Sequence, residues 1–131
     1  MTKQELLSLS IFFTTARKEM LKVKFRSRIG AVLVYKNKRV INKGRNKPNK
    51  TSPMMHSHHE FKTTHAEIDA LTGMYLSPDK LSKCTLYIYR ETMDGKLALS
   101  KPCQYCHKIL QEHGIRKIFY TTPNGFEEIT I

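Results

Sequence analysis

The chain has 131 residues, 40% of them hydrophobic, and carries 23 Lys or Arg against 11 Asp or Glu, for a net charge of +12. This length fits a single domain, residues 1–131, with one modest core. No stretch approaches the roughly 20 apolar residues of a membrane span, and the three cysteines cannot all pair within one chain, which excludes a small disulfide scaffold.

Residues 4–24 place Leu6, Leu7, Leu9, Phe12, Phe13, Ala16, Met20 and Val23 at helical spacing on one face. Within them "SLSIFF" (8–13) is short and lacks a small-residue cleavage pattern, so a cytoplasmic protein without a secretory leader is expected. "IGAVLVY" (29–35) is a β-branched run and predicts a strand. A turn at "NK" (37–38) and a return along "RVIN" (39–42) make it a hairpin. Residues 44–63, with Gly44, Pro48 and Pro53, predict a long loop, of the kind that carries function or disorder.

A second helix is predicted from about His65 to Tyr75, and "CTLYIYR" (84–90) is a strand. "ETMDGKLALS" (91–100) turns at Asp94-Gly95, and a third helix begins near Pro102 and ends at Gly114. Strands at 115–121 and 127–131 follow, with five residues between them. A parallel crossover needs a dozen residues or more, so these two are antiparallel neighbours.

Two short stretches carry the chemistry. Thr64-His65-Ala66-Glu67 matches the capping box S/T-x-x-E, in which Glu67 would only satisfy a backbone donor. "PCQYC" (102–106) argues for more. Pro at the helix start places Cys103 and Cys106 on the first turn, three apart and on one face. A helix N-terminus also favours thiolates, the metal-binding form. If the two helix starts face each other, one imidazole and two thiolates meet, a donor set that suits Zn²⁺ with its fourth position left for water. Glu67 then stands close enough to take a proton from that water. H-x-E followed by P-C-x-x-C is the pattern of zinc nucleobase deaminases.

On "GAVLV" (30–34), "GRN" (44–46), "HAE" (65–67) and "PCQYC" (102–106) the chain resembles the cytidine deaminase superfamily, from about residue 28 to the end. The resemblance implies an α/β fold of three α-β-α layers around a mixed sheet, with zinc on His65, Cys103 and Cys106. It implies Glu67 as the catalytic proton shuttle in hydrolysis of cytosine to uracil. Asn46 would hold the sugar or base, and the Ala66 N–H would bind the pyrimidine carbonyl. Tyr120, at a strand end near the expected pocket, is placed to contact either the substrate or the core. The antiparallel last strands look like the branch of free cytidine deaminases and bacterial toxins.

Nucleoside deaminases have an acidic residue two positions after the sugar-binding asparagine; here that residue is Pro48. The loop around it is basic (Lys43, Arg45, Lys47, Lys50), and between Arg17 and Lys50 there are 13 Lys or Arg and one acid, Glu19. Such a stretch is either a solvated surface or a phosphate contact. The expected substrate is therefore a cytidine or deoxycytidine nucleotide. The alternatives are a cytosine or adenine deaminase acting on single-stranded DNA or RNA through the basic 17–50 region, and a non-catalytic zinc module that binds nucleic acid. A homo-oligomer is compatible with all three, and no membrane association is expected. His56, His58 and His59 read as a solvated loop or a second metal or phosphate contact, Tyr105 and Phe126 as packing or base-stacking rings, and Cys84 as a small buried residue.

Overall fold

The computed structural model describes residues 1–24, 26–47, 65–74 and 76–131. The elements are α1 (Lys3–Leu9), α2 (Ile11–Met20), β1 (Ile29–Tyr35), β2 (Arg39–Arg45), α3 (Ala66–Asp69), α4 (Pro78–Leu81), β3 (Cys84–Arg90), α5 (Gln104–His113), β4 (Lys117–Thr122) and β5 (Gly125–Thr130).

The single helix expected over 4–24 is two. Ser10 takes an extended conformation, φ −141°, closing α1 and capping α2, where its hydroxyl accepts the Phe13 N–H at 3.3 Å. A capping serine in a helical pattern diverts the backbone in this way. The apolar face survives the break: Leu6, Phe13, Ala16 and Met20 are all buried. The second expected helix is shorter than its pattern, with α3 ending at Asp69 and turns running on to Gly73 at φ +81°. There the Asn42 amide takes the Ala70 carbonyl at 2.8 Å. Of the hairpin turn, Lys36 and Asn37 are the residues with positive φ, 51° and 57°, one position before the expected pair.

The five strands form one mixed sheet in the order β2-β1-β3-β4-β5. Only β3 and β4 are parallel, joined through α5, while β4 and β5 pair antiparallel as expected. The fully apolar runs β1 and β3 lie inside the sheet, buried on both faces, whereas β5, at one edge, is mostly exposed. One face carries α1 and α2 over Val32, Val34, Tyr87 and Tyr89. The other holds a second core of Ala31, Leu33, Leu86 and Ile88 against Ala66, Ile68, Cys106 and Leu110 from α3 and α5. These are the three expected layers.

Two glycines set the layer spacing. A Cβ on Gly30 would sit 2.0 Å from the Ala16 carbonyl oxygen of α2, and one on Gly44 would sit 2.3 Å from the Ala70 nitrogen just after α3. Glycine at these points lets α2 and the α3 segment lie directly on the sheet.

Candidate zinc and deaminase site

The site side of the sheet has an end at which β1 begins and β2, β3 and β4 finish; there Ile29 pairs with Arg90 and Gly30 with Arg45. Residues 98–100 are held to it by buried hydroxyls. Thr121 Oγ1 donates to the Ala98 carbonyl at 2.8 Å, Ser100 Oγ donates to the Ile88 carbonyl at 3.0 Å, and the Thr121 N–H donates to Ser100 Oγ at 2.8 Å. The chain then enters α5 at Cys103, the N-cap, whose sulfur accepts the Cys106 N–H at 3.5 Å. The helix thus starts one residue beyond Cys103, with Pro102 outside it. Across from it α3 starts after its N-cap, His65. This register puts Glu67 at the second helical position, where the capping-box pattern required the third; Thr64 lies outside the described residues.

The two starts bring the predicted trio together. His65 Nδ1 is 3.1 Å from Cys106 Sγ and 3.9 Å from Cys103 Sγ, and all three ligand atoms lie within 4.8 Å of one another. A tetrahedral zinc with ligand bonds of about 2.0–2.3 Å spaces its donors roughly 3.4–3.8 Å apart. The observed separations bracket that range, and one nitrogen with two sulfurs is a zinc donor set. Among the described residues, no other group of three metal-ligating side chains forms.

The electrostatics favour a cation. Cys103 is pulled down to about 3, mainly by its hydrogen bond from Cys106. Cys106 is pushed up by the same bond and by burial. His65 is drawn toward its charged form by the Cys103 sulfur, although its shorter contact is with Cys106. Glu67, 4% exposed, has its carboxyl pushed above the usual range by burial, and its Oε1 lies 3.9 Å from His65 Nδ1.

The remaining expected residues are placed as follows. Ala66 opens α3, so its N–H is one of the first-turn amides that no helical carbonyl can accept. Asn46 is already at work in the fold: its Oδ1 accepts the Ile29 N–H at 2.7 Å and its Nδ2 donates to the Ser27 carbonyl at 2.6 Å. An amide has two donors and two lone pairs, so one of each is left over. Tyr120 shares the core of Ala66 and Cys106, and its hydroxyl donates to Glu127 at 2.6 Å. Phe126 packs on the opposite face, 5.6 Å from Phe13 and 5.9 Å from Phe119 between ring centres. His56, His58, His59 and Lys50 lie outside the described residues.

Much of the basic stretch is internally paired. Arg17 meets Glu91 at 2.5 Å, Lys22 and Arg45 meet Glu19 at 2.8 and 3.2 Å, and Lys47 meets Asp69 at 2.9 Å. Asp69 carries no motif that marks it in the sequence. It also accepts the Arg45 N–H at 3.1 Å, tying the end of β2 to α3 two residues after Glu67.

Asn46→Ala tests the clamp. Losing two hydrogen bonds to backbone groups is expected to cost about 1–3 kcal/mol, read as a lower melting temperature. Unchanged melting with weakened turnover would instead leave Asn46 with a substrate contact alone.

A family model for the cytidine and deoxycytidylate deaminase zinc-binding region matches residues 7–122. The fold is similar to the crystal structure of a cytidine deaminase from Burkholderia pseudomallei, with TM-score 0.64 and 18% identity over 99% of this chain and 93% of that one. It is also similar to a cytidine deaminase from Mycobacterium leprae, with TM-score 0.54 and 18% identity over 90% of each chain. No curated protein matches the chain in sequence. The family match runs through both α3 and α5, the segments that build the His65–Cys103–Cys106 cluster, and on that match this chain belongs to the family of zinc-binding cytidine and deoxycytidylate deaminases.

Proposed function

We propose that the protein is a zinc-dependent hydrolytic deaminase that converts cytosine to uracil in a cytidine or deoxycytidine nucleotide. The observation that carries this reading is the buried Glu67 carboxylate beside the three ligand atoms. A structural zinc needs no such group, whereas hydrolysis needs a proton carrier. Zinc on His65, Cys103 and Cys106 would supply a Lewis acid able to lower the pKa of water toward about 7.

Glu67 takes a proton from the attacking water and passes it to N3 of the ring. It then conveys the second proton to the departing amine. The C4–O bond forms, the C4–N4 bond breaks, and one water is exchanged for one ammonia. Burial helps Glu67 to hold a proton between these transfers, because the charged form is poorly solvated there. The Ala66 N–H donates to the pyrimidine carbonyl, and the spare amide capacity of Asn46 faces the sugar. Tyr120 contributes through the core it shares with Ala66 and Cys106.

The net charge of +12 favours a second reading, cytosine or adenine deamination in single-stranded nucleic acid. Turnover decides between the two. In an assay of ammonia release with cytidine, its mono- and triphosphates in both sugar forms, adenosine analogues and oligonucleotides, the highest kcat/KM is expected on a free cytosine nucleotide. A higher value on an oligonucleotide would promote the second reading.

A further inference from the structure

Of the four basic residues expected to meet phosphate, Lys43, Arg45, Lys47 and Lys50, two are paired, Arg45 with Glu19 and Lys47 with Asp69, and Lys50 lies outside the described residues. A different set of cations stands at the same end of the sheet. Arg26, Ser27, Arg90, Glu91, Thr92 and Met93 line a cavity of about 360 Å³. Glu91 is its only acid, and that carboxylate is already neutralised. It meets Arg17 at 2.5 Å, Lys3 at 3.8 Å and Arg28 at 4.0 Å, and accepts the Tyr89 hydroxyl at 2.6 Å. Arg28 also reaches the Thr92 carbonyl, yet its buried Nε has no hydrogen-bond acceptor. Arg26 makes no ion pair or side-chain hydrogen bond among the described residues. The cavity is therefore lined by two guanidinium groups, while its one carboxylate is held by other cations.

Its position connects it to the zinc cluster. Along β3, Leu86 and Ile88 face the core of α3 and α5 while Tyr87 and Tyr89 face α2. Strand alternation sends Arg90 to the side of His65, Cys103 and Cys106. The Arg90 guanidinium donates to the Leu99 carbonyl at 3.3 Å, four residues before Cys103. Ser27, which also lines the cavity, has its carbonyl held by Asn46. The cavity thus shares Ser27 with the segment that Asn46 fixes, and Arg90 on its wall reaches the segment that leads to Cys103.

We propose that Arg26 and Arg90, with the Ser27 hydroxyl, form the subsite for a phosphate ester on the substrate's sugar. Guanidinium groups match phosphate oxygens in charge and in hydrogen-bond geometry. The inference rests on the cytosine-nucleotide reading above and places specificity for the phosphorylated form in these residues.

Equilibrium binding to the zinc-loaded full chain tests it, with uridine 5′-monophosphate and uridine as probes in isothermal titration calorimetry. The wild type is expected to prefer the monophosphate, and inorganic phosphate to compete with it. Arg26→Gln and Arg90→Gln should each lower the ratio of the two affinities by about tenfold or more, the size of one lost charge-assisted contact. Lys38→Gln removes the same charge at the hairpin on the opposite end of the sheet and should leave the ratio alone. Arg26 is exposed, so its replacement keeps the test clear of misfolding should Arg90→Gln be unstable.

A single-stranded oligodeoxynucleotide forms the second arm. Loss confined to the monophosphate assigns the subsite to a free nucleotide, and loss confined to the oligonucleotide assigns it to a strand phosphodiester. No preference in the wild type, or a ratio indifferent to Arg26, overturns the proposal. Because binding is read, failure to deaminate any cytosine substrate with the ratio intact retires the reaction and leaves the subsite standing.

Discussion

Glu67→Gln is expected to abolish deamination while the protein keeps its zinc and its fold. The amide has the shape of the carboxyl but cannot accept a proton from water and return it, a function worth on the order of 10²–10⁴ in rate. Stability should change little. The native carboxyl is 4% exposed and already displaced by burial toward its neutral form, so a neutral amide suits the same surroundings. Any stability lost as a helix-start residue is at most about 1 kcal/mol. Steady-state kinetics, metal content and thermal denaturation of the same preparation give the three readings. Near-normal turnover would reduce Glu67 to a structural residue and remove the proposed mechanism.

Cys106→Ala is expected to empty the metal site. Its sulfur is 3.1 Å from His65 Nδ1 and is fully buried, and alanine offers no donor atom in its place. Zinc measured by atomic absorption should fall from about one per chain toward none, because a His–Cys pair alone leaves too few donors. Metal bound to the native state also stabilises it by mass action. A strong chelator should therefore lower the melting temperature of the wild type and leave that of the variant unmoved. Full zinc content in Cys106→Ala would sink the ligand set His65, Cys103 and Cys106.

The parts of the fold that were legible in the sequence are those fixed by local pattern. The apolar runs at 29–35 and 84–90 are buried on both faces of the sheet, and burial on both faces is what makes a run continuously apolar. The short link expected before the last strand requires an antiparallel pair, and that is the pairing found, with only Pro123 and Asn124 between β4 and β5. The zinc trio was legible because its spacing encodes two helix starts, and the cysteines needed only α5 to be placed three apart on one turn.

What the sequence hid depends on contacts between distant residues. Ser10 reads as one more position of an amphipathic helix, and only the packing of Leu6 and Phe13 on β3 shows where the chain bends. The basic stretch suggested a row of free charges, but Glu19, Asp69 and Glu91 lie within reach of five of its members once the sheet forms. Asn46 had the look of a pure substrate residue, yet the start of β1 hangs on its amide. Arg90 reads as the last residue of a strand, and nothing before it marks the cavity it lines.

The most direct test of the account is ammonia release from cytidine and deoxycytidine monophosphate by wild-type protein carrying one zinc per chain. One ammonia and one uracil nucleotide are expected for each cytosine nucleotide consumed, at a rate that vanishes when the zinc is stripped and returns when it is restored. A fully zinc-loaded, folded protein that releases no ammonia from any cytosine nucleotide, nucleoside or oligonucleotide would contradict it.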